Sequence, residues 1–318
     1  MLHLMGTVHD LIKARGKQQA LQLDEFPRNV VEAAASYMAD EDAGIGFLYS
    51  GWCQAALPHR KLPNNQGWQI DSERVRLVVQ PGMRGSDSGT PEPVGVPYGS
   101  RARLILLRLQ SEALRTNCRE VELGKSLRDW LDRMGIPVGG RSLKDVRDQT
   151  ERISRCRLTF EVRQGARLGM ANQSITESAI FLEDDEPSQG RLFPQIQVAT
   201  LSTAFFETLK RHPVPIEESA VRAIANNSMA LDVYAWLAYR LHVLLKPTPV
   251  SWRALKQQFG AGFNRIDNFK TTFNSNLRLA LAVYREAKVE GAQDGLTLHP
   301  SPPPVAPRIV AVRSLTKG

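Results

Sequence analysis

The sequence predicts an α+β, mainly α protein. It reads as two tandem winged-helix domains, each a helix-turn-helix with a β-hairpin wing, preceded by a small N-terminal β-containing module. Three observations predict this. The stretch from Asn264 to Tyr284 has helical periodicity with one apolar side, a shorter amphipathic segment ending in glycine precedes it, and a run of helices followed by a hairpin occurs twice.

In the first of these stretches, Ile266, Phe269, Phe273, Leu277, Ala280, Leu281 and Tyr284 recur at steps of three and four, so they share one buried helix side. The opposite side carries Asn264, Asn268, Thr271, Ser275 and Arg278, with Arg265 and Lys270 nearer the boundary and only Asp267 opposing the positive charge. Such side chains can bond base edges and phosphate oxygens in a major groove. Arg278 and Asn268 are the expected base readers, and Arg265 and Lys270 the expected phosphate contacts. Upstream, Trp252 to Phe259 forms the shorter amphipathic segment, with Ser251 placed to cap it and Gly260 to end it.

The chain has 318 residues and room for two or three domains. Its formal charge of +8 is unevenly spread: Lys and Arg against Asp and Glu number 9 to 11 in residues 1–96, 17 to 14 in 97–192 and 15 to 8 in 193–318. The basic excess therefore falls on the helical pairs, which suits a polyanionic partner. Cys53, Cys118 and Cys156 are widely spaced, without CxxC pairing or nearby histidines, which argues against a disulfide framework and against a zinc site. No metal and no cofactor is expected. No stretch is long and apolar enough for a membrane span, and a reducing cytoplasm is the expected setting.

Taken in order, residues 1–40 read as helical, with an apolar patch at Val30, Val31, Ala33, Ala34, Ala35, Tyr37 and Met38. Ala43 to Tyr49 is an apolar segment, and Gly67 to Gln80 alternates through Trp68, Ile70, Val75, Leu77 and Val79 as a hairpin. Pro81 to Pro97, rich in Gly, Ser and Pro, reads as a linker. Residues 98–116 form a helix with Ala102, Ile105, Leu106, Leu109, Ala113 and Leu114 inward, followed by a helix from Ser126 to Met134 stopped at Gly135. A third helix opens at Ser142, with Asp145 in a capping-box-like position. It turns Val146, Thr150, Ile153 and Cys156 inward, and Arg141, Lys144, Arg147 and Arg155 are the first domain's expected DNA contacts. Asp145, Asp148 and Glu151 dilute that surface, so its expected role is more phosphate than base.

Arg157 to Arg163 then alternates as a strand, Gln164-Gly165 turns it, and Ile175 to Leu182 returns as the wing. An acidic run, Glu183 to Pro187, reads as the connection to the second domain. There Phe193 to Leu201, a helix from Thr203 to Lys210 and a long helix from Met229 to Leu245 lead to the helical pair, and a hairpin around Gly291 to Gly295 closes the plan. The expected boundaries are 1–96 for the N-terminal module and linker, 97–190 for the first winged-helix domain, 191–305 for the second, and 306–318 for a flexible basic tail.

Several ordered blocks resemble one family. SMALDVYAWLAYRLH (Ser228 to His242), SWRALKQQFG (Ser251 to Gly260), the helix of Arg265 to Tyr284 and GLTLHPSPPPV (Gly295 to Val305) resemble the C-terminal region of RepA-type plasmid replication initiators. YGSRARLILLRLQSEA (Tyr98 to Ala113), LGKSLRDWLDRMGI (Leu123 to Ile136) and the GGR before Ser142 resemble its preceding part, and SGWCQAALPHRKLP (Ser50 to Pro63) its N-terminal region. The resemblance implies an initiator that binds direct repeats, iterons, in double-stranded DNA at a plasmid origin and promotes local opening there. It also implies recruitment of host replication proteins (a helicase or its loader, and the host initiator), a monomer–dimer equilibrium and repression of the protein's own promoter.

Catalytic readings fail on spacing, and no enzyme activity is expected. Gly124-Lys125-Ser126 resembles the end of a Walker loop, but Arg119 stands where the first glycine is required. A metal-dependent nicking enzyme needs clustered ligands, whereas His3, His9, His59, His212, His242 and His299 are scattered. Asp184 and Asp185 sit in the acidic connection, where solvation explains them. A sequence-specific transcriptional repressor or partition-type DNA-binding protein built from the same domains remains the alternative.

Overall fold

The computed structural model describes residues 5–41, 44–72, 75–136, 139–164, 167–182 and 195–306. Helices α1 (Met5–Gln22, broken by a non-helical Gly16 at φ +77°) and α2 (Arg28–Ala39) open the chain, and of the expected apolar patch Val30, Val31, Ala33 and Ala34 are buried while Ala35, Tyr37 and Met38 are partly exposed. Strand β1 (Ile45–Tyr49), the short helix α3 (Ser50–Gln54) and the expected hairpin β2 (Trp68–Asp71) and β3 (Val75–Gln80) follow, with Ile70 opposite Leu77. The stretch expected as an open linker instead contains another hairpin, β4 (Gly82–Arg84) paired with β5 (Glu92–Gly95).

Helix α4 (Gly99–Thr116) is buried on nearly every side, Leu104 through Ser111 without interruption, as a helix at the centre of a fold must be. Strand β6 (Glu120–Glu122) and helix α5 (Gly124–Arg133) come next, and the chain leaves α5 at Gly135 with φ +68°. Helix α6 runs Gly140–Arg155 with Gly139 at its N-cap position. The capping box expected at Ser142 is therefore not formed. Ser142 is the third residue of the helix, within its first turn, and its buried Oγ has no hydrogen-bond partner among the described residues.

The wing expected from Arg157–Arg163 and Ile175–Leu182 is also corrected. Strand β7 (Arg157–Gln164) pairs with β8 (Arg167–Ser174) on one edge and with β3 on the other, giving a sheet ordered β2-β3-β7-β8. Strand β9 (Thr176–Leu182) pairs instead with β10 (Gln195–Leu201), which also pairs with β6. The physical reason is that β7 needs partners on both edges, and the chain that follows it immediately supplies the second. Expected boundary 190/191 and the acidic connection lie in residues outside those described, but β10 beyond them completes the β6-β10-β9 sheet.

Helix α7 (Thr203–Arg211), capped by Ser202 Oγ accepting from the Phe205 amide, leads to β11 (Pro213–Glu217) and α8 (Glu218–Ala223). Helix α9 (Ser228–Arg240) is buried continuously from Met229 to Ala238. It stops short of the expected Leu245, passing through a 3-10 turn at Leu241–Val243. Pro247 disfavours helix at the residue before it, and Leu245 projects fully into solvent at 99% exposure. Strand β12 (Thr248–Ser251), helix α10 (Trp252–Phe259), helix α11 (Ile266–Ala282) and the hairpin β13 (Val289–Ala292) and β14 (Gly295–Leu298) complete the fold. Beyond it, Ser301 is buried without regular structure, and Tyr284 Oη donates to the Pro302 carbonyl at 2.7 Å.

One connectivity therefore occurs twice in this mixed α/β fold. Helix, strand, helix, helix and two strands run as α4–β6–α5–α6–β9–β10 and again as α9–β12–α10–α11–β13–β14. The sheets are ordered alike, β6-β10-β9 and β12-β14-β13, with β7 and β8 inserted in the first.

Described elements within residues 1–96, expected as a module, pack on both units. β3 pairs with β7, β1 pairs with β11 in the register Phe47↔Pro215, and α2 packs on α8 and α11. A buried polar node fastens the join. Arg103 of α4 donates from Nε and Nη2 to the two carboxylate oxygens of Asp232 on α9, both at 2.6 Å, and to the carbonyls of Leu57 (2.7 Å) and Gly99 (2.8 Å). His59 Nδ1 lies 3.1 Å from Ser228 Oγ, and burial together with the Arg103 charge pushes the His59 pKa down to about 3.

Candidate nucleic-acid interface

The pair α10–α11 forms as its residues dictate. Ser251 Oγ accepts from the Ala254 amide at 3.2 Å, the expected cap. Gly260 ends α10 because a Cβ there would lie 2.7 Å from the Phe269 ring and 2.8 Å from the Lys256 carbonyl oxygen, so only glycine lets the helices approach. Behind the turn, Phe273 stacks near Phe259 (5.5 Å between centroids), Phe269 (5.4 Å) and Trp252 (6.2 Å). Each fully buried ring contributes roughly 2–3 kcal/mol by burial alone, so the orientation of α11 is firmly set.

The face of α11 expected to read DNA is open over its N-terminal part: Asn264, Arg265, Asn268, Thr271 and Ser275 are exposed. Lys270 is half-buried, its Nζ 5.5 Å from the Trp252 ring centroid. Arg265 Nη2 lies 3.8 Å from Asp267. Arg278 is half-buried, because the helix beyond Ser275 runs beneath α1 and α2. There Asn276, Leu279, Ala282 and Val283 are buried as well, and the buried His9 donates from Nε2 to the Ala282 carbonyl at 2.8 Å.

In the first unit, Lys144 and Arg147 are exposed near the start of α6, and the Arg141 side chain lies outside the described residues. Arg155 is exposed but engaged, with Nε 3.3 Å from Glu151 and Nη1 donating to the Met83 carbonyl at 3.0 Å. The β4–β5 hairpin makes this contact by lying against the C-terminal half of α6. A Cβ at Gly82 would sit 2.2 Å from the Arg155 carbonyl oxygen, and one at Gly95, with φ +87°, 2.0 Å from Arg152 Nη1. Arg152 itself is 2% exposed. Its Nε donates to Asp148 at 2.9 Å and its Nη2 to Asn64 at 3.1 Å.

The β13–β14 hairpin carries no basic residue: its turn is Gln293-Asp294, and the Asp294 carbonyl accepts from the Trp252 amide at 2.9 Å. Between that turn and the two helices lies an open groove bordered by Trp252, Arg253, Lys256, Lys270 and Asp294. Arg253 and Lys256 were not singled out from sequence. The signal was their spacing on α10, which puts both on one helical side away from buried Leu255 and Phe259. No described helix is long and apolar enough to cross a membrane.

Comparison with known proteins gives one partial family match. Residues 96–251 match the profile of a family described as plasmid encoded RepA protein, which supports a replication-initiator role for this chain. The matched stretch runs from the entry to α4 through the cap of α10. No curated protein matches it. Two solved structures are distantly similar. A crystal structure of SeMet derivatives of domain 2 and domain 3 of RctB shares 15% identity at a TM-score of 0.49, covering 71% of this chain and 82% of that one. A crystal structure of RctB domains 2-3 shares 15% identity at 0.43, covering 76% and 84%.

Proposed function

We propose that the protein is a plasmid replication initiator that binds direct repeats, iterons, in duplex DNA at its origin through two winged-helix units. The carrying observation is the connectivity repeated with the same sheet order, the second copy of which presents the exposed polar face Asn264–Ser275 on a helix locked by an aromatic cluster. On this reading α11 enters a major groove, where Asn268 contacts a base edge and Arg265 a phosphate. α6 follows the neighbouring segment of the same repeat with Lys144 and Arg147. Arg278, at the buried margin of α11, reaches the same groove by its length.

The fused body, in place of two domains on a short linker, fixes the separation of the two helices. Distortion of the repeats would open the adjacent DNA, and host replication proteins would then be recruited. The role is non-catalytic, and in a monomer–dimer equilibrium the dimer would repress the protein's own promoter. The test is a footprint on the repeat-bearing DNA flanking its gene. Protection repeating with the period of the direct repeats is expected. A single operator-like footprint would favour the repressor or partition reading, and no protection on any DNA would overturn both.

A further inference from the structure

The groove bordered by α10, the start of α11 and the β13–β14 turn carries an inference that rests on the DNA-binding reading and deepens it. Arg253 is exposed and Lys256 half-buried, one helical turn apart on α10, and Lys270 reaches in from α11 above the Trp252 ring. None of the three forms an ion pair among the described residues. That sets them apart from Arg84, Arg119, Arg155 and Arg222, each held by a carboxylate. Asp294 alone opposes them on the lining, and its backbone already binds the Trp252 amide, so the start of α10 offers no open amide at that position. Any anion held here is held by side chains. Unpaired cations gathered in one open groove repel each other until a polyanion enters, and the hairpin that a wing would use for phosphate is acidic at its tip.

We infer that this groove seats the phosphate backbone of one DNA strand, with Arg253 and Lys256 as its phosphate ligands, while the exposed face of α11 occupies the adjacent major groove. Lys270, half-buried against Trp252, is a positioned third ligand whose side chain loses little freedom on binding. The groove thus supplies the sequence-independent part of the affinity, and Asn268 the sequence-dependent part.

The test is a fluorescence-anisotropy titration of the full chain against repeat-bearing and scrambled duplexes at several salt concentrations. R253Q/K256Q, D294N and N268A are compared with the unaltered chain, after thermal melts confirm that each folds. The double variant is expected to lose about tenfold or more on both duplexes, and the slope of log K against log salt to fall by about 2, near 0.9 per phosphate contact. D294N is expected to bind both duplexes more tightly, because a charge of the same sign as phosphate is removed. N268A is expected to lose affinity for the repeat alone. An unchanged salt slope in the double variant, with the unaltered chain binding the repeat normally, would overturn the groove assignment and leave the DNA-binding reading standing. Failure of the unaltered chain to bind either duplex would overturn both.

Discussion

Asp232→Ala removes the carboxylate that pairs with Arg103 among the described residues. Two charge-assisted hydrogen bonds of 2.6 Å disappear, and a guanidinium whose side chain is 10% exposed keeps its charge with Nε unpartnered. Breaking a buried pair from one side costs about 3–5 kcal/mol, a large share of a typical folding stability of about 5–15 kcal/mol. The double change R103M/D232L removes both charges and should be milder. It still leaves the Leu57 carbonyl without its 2.7 Å donor, a loss of about 1–3 kcal/mol. The expected order is therefore D232A least stable, R103M/D232L intermediate and the unaltered chain most stable. Urea denaturation followed by tryptophan fluorescence gives the midpoints and slopes. A loss below about 1 kcal/mol for D232A, the level of an exposed pair, would refute the reasoning that a dry ionic node fastens the two units.

Other perturbations follow from the same geometry. Gly260→Ala places a methyl group 2.7 Å from the Phe269 ring, and thermal melts should record a loss of about 1–3 kcal/mol. His59 is neutral in the fold, its pKa near 3, whereas in the unfolded chain it protonates below about pH 6.5. The unfolded state then binds the extra proton, so stability should fall as the pH drops below about 6.5, by up to about 1.4 kcal/mol per unit, and this contribution should level off below the folded value. Denaturation midpoints between about pH 6.5 and 5, above the ordinary carboxylate range, should show the slope, and His59→Gln should flatten it. Inserting about half a helical turn of DNA, roughly 5 base pairs, between the segments contacted by α6 and α11 should abolish specific binding in a gel-shift assay, since a fused body cannot follow the rotation. Retained affinity would mean the units move independently.

The parts of this fold that were legible in the sequence are those governed by local periodicity. Ile266 to Tyr284 announced a helix with a buried side, Ser251 announced a cap, and Trp68 to Val79 a hairpin, each because neighbouring residues fix the answer. Strand β8 was missed because Gly169, Met170, Ala171 and Asn172 are all exposed, so no face of it carries an apolar signal. Gly82 and Gly95 read as linker composition, whereas the missing Cβ at each is what lets β4–β5 lie against α6. Arg103 and Asp232 are 129 residues apart, and nothing local to either marks the other as its partner. At the interface, periodicity located the outer face of α11 but not the covering of its C-terminal half by α1 and α2. Arg278 looked as open as Asn268 for that reason. Arg253 and Lys256 lie on the open side of a short helix whose sequence signal, Leu255 and Phe259, marks only its buried side.

The most direct measurement of the central claim is plasmid maintenance. The gene with its flanking repeats is placed on a DNA circle lacking any other origin, and retention is scored in a host that supports it. The unaltered chain should sustain the circle, and Asn268→Ala, folded to the same melting temperature, should lose it while a copy of the unaltered chain supplied separately restores it. Equal retention with the gene intact, altered or deleted would contradict an initiator role for this protein.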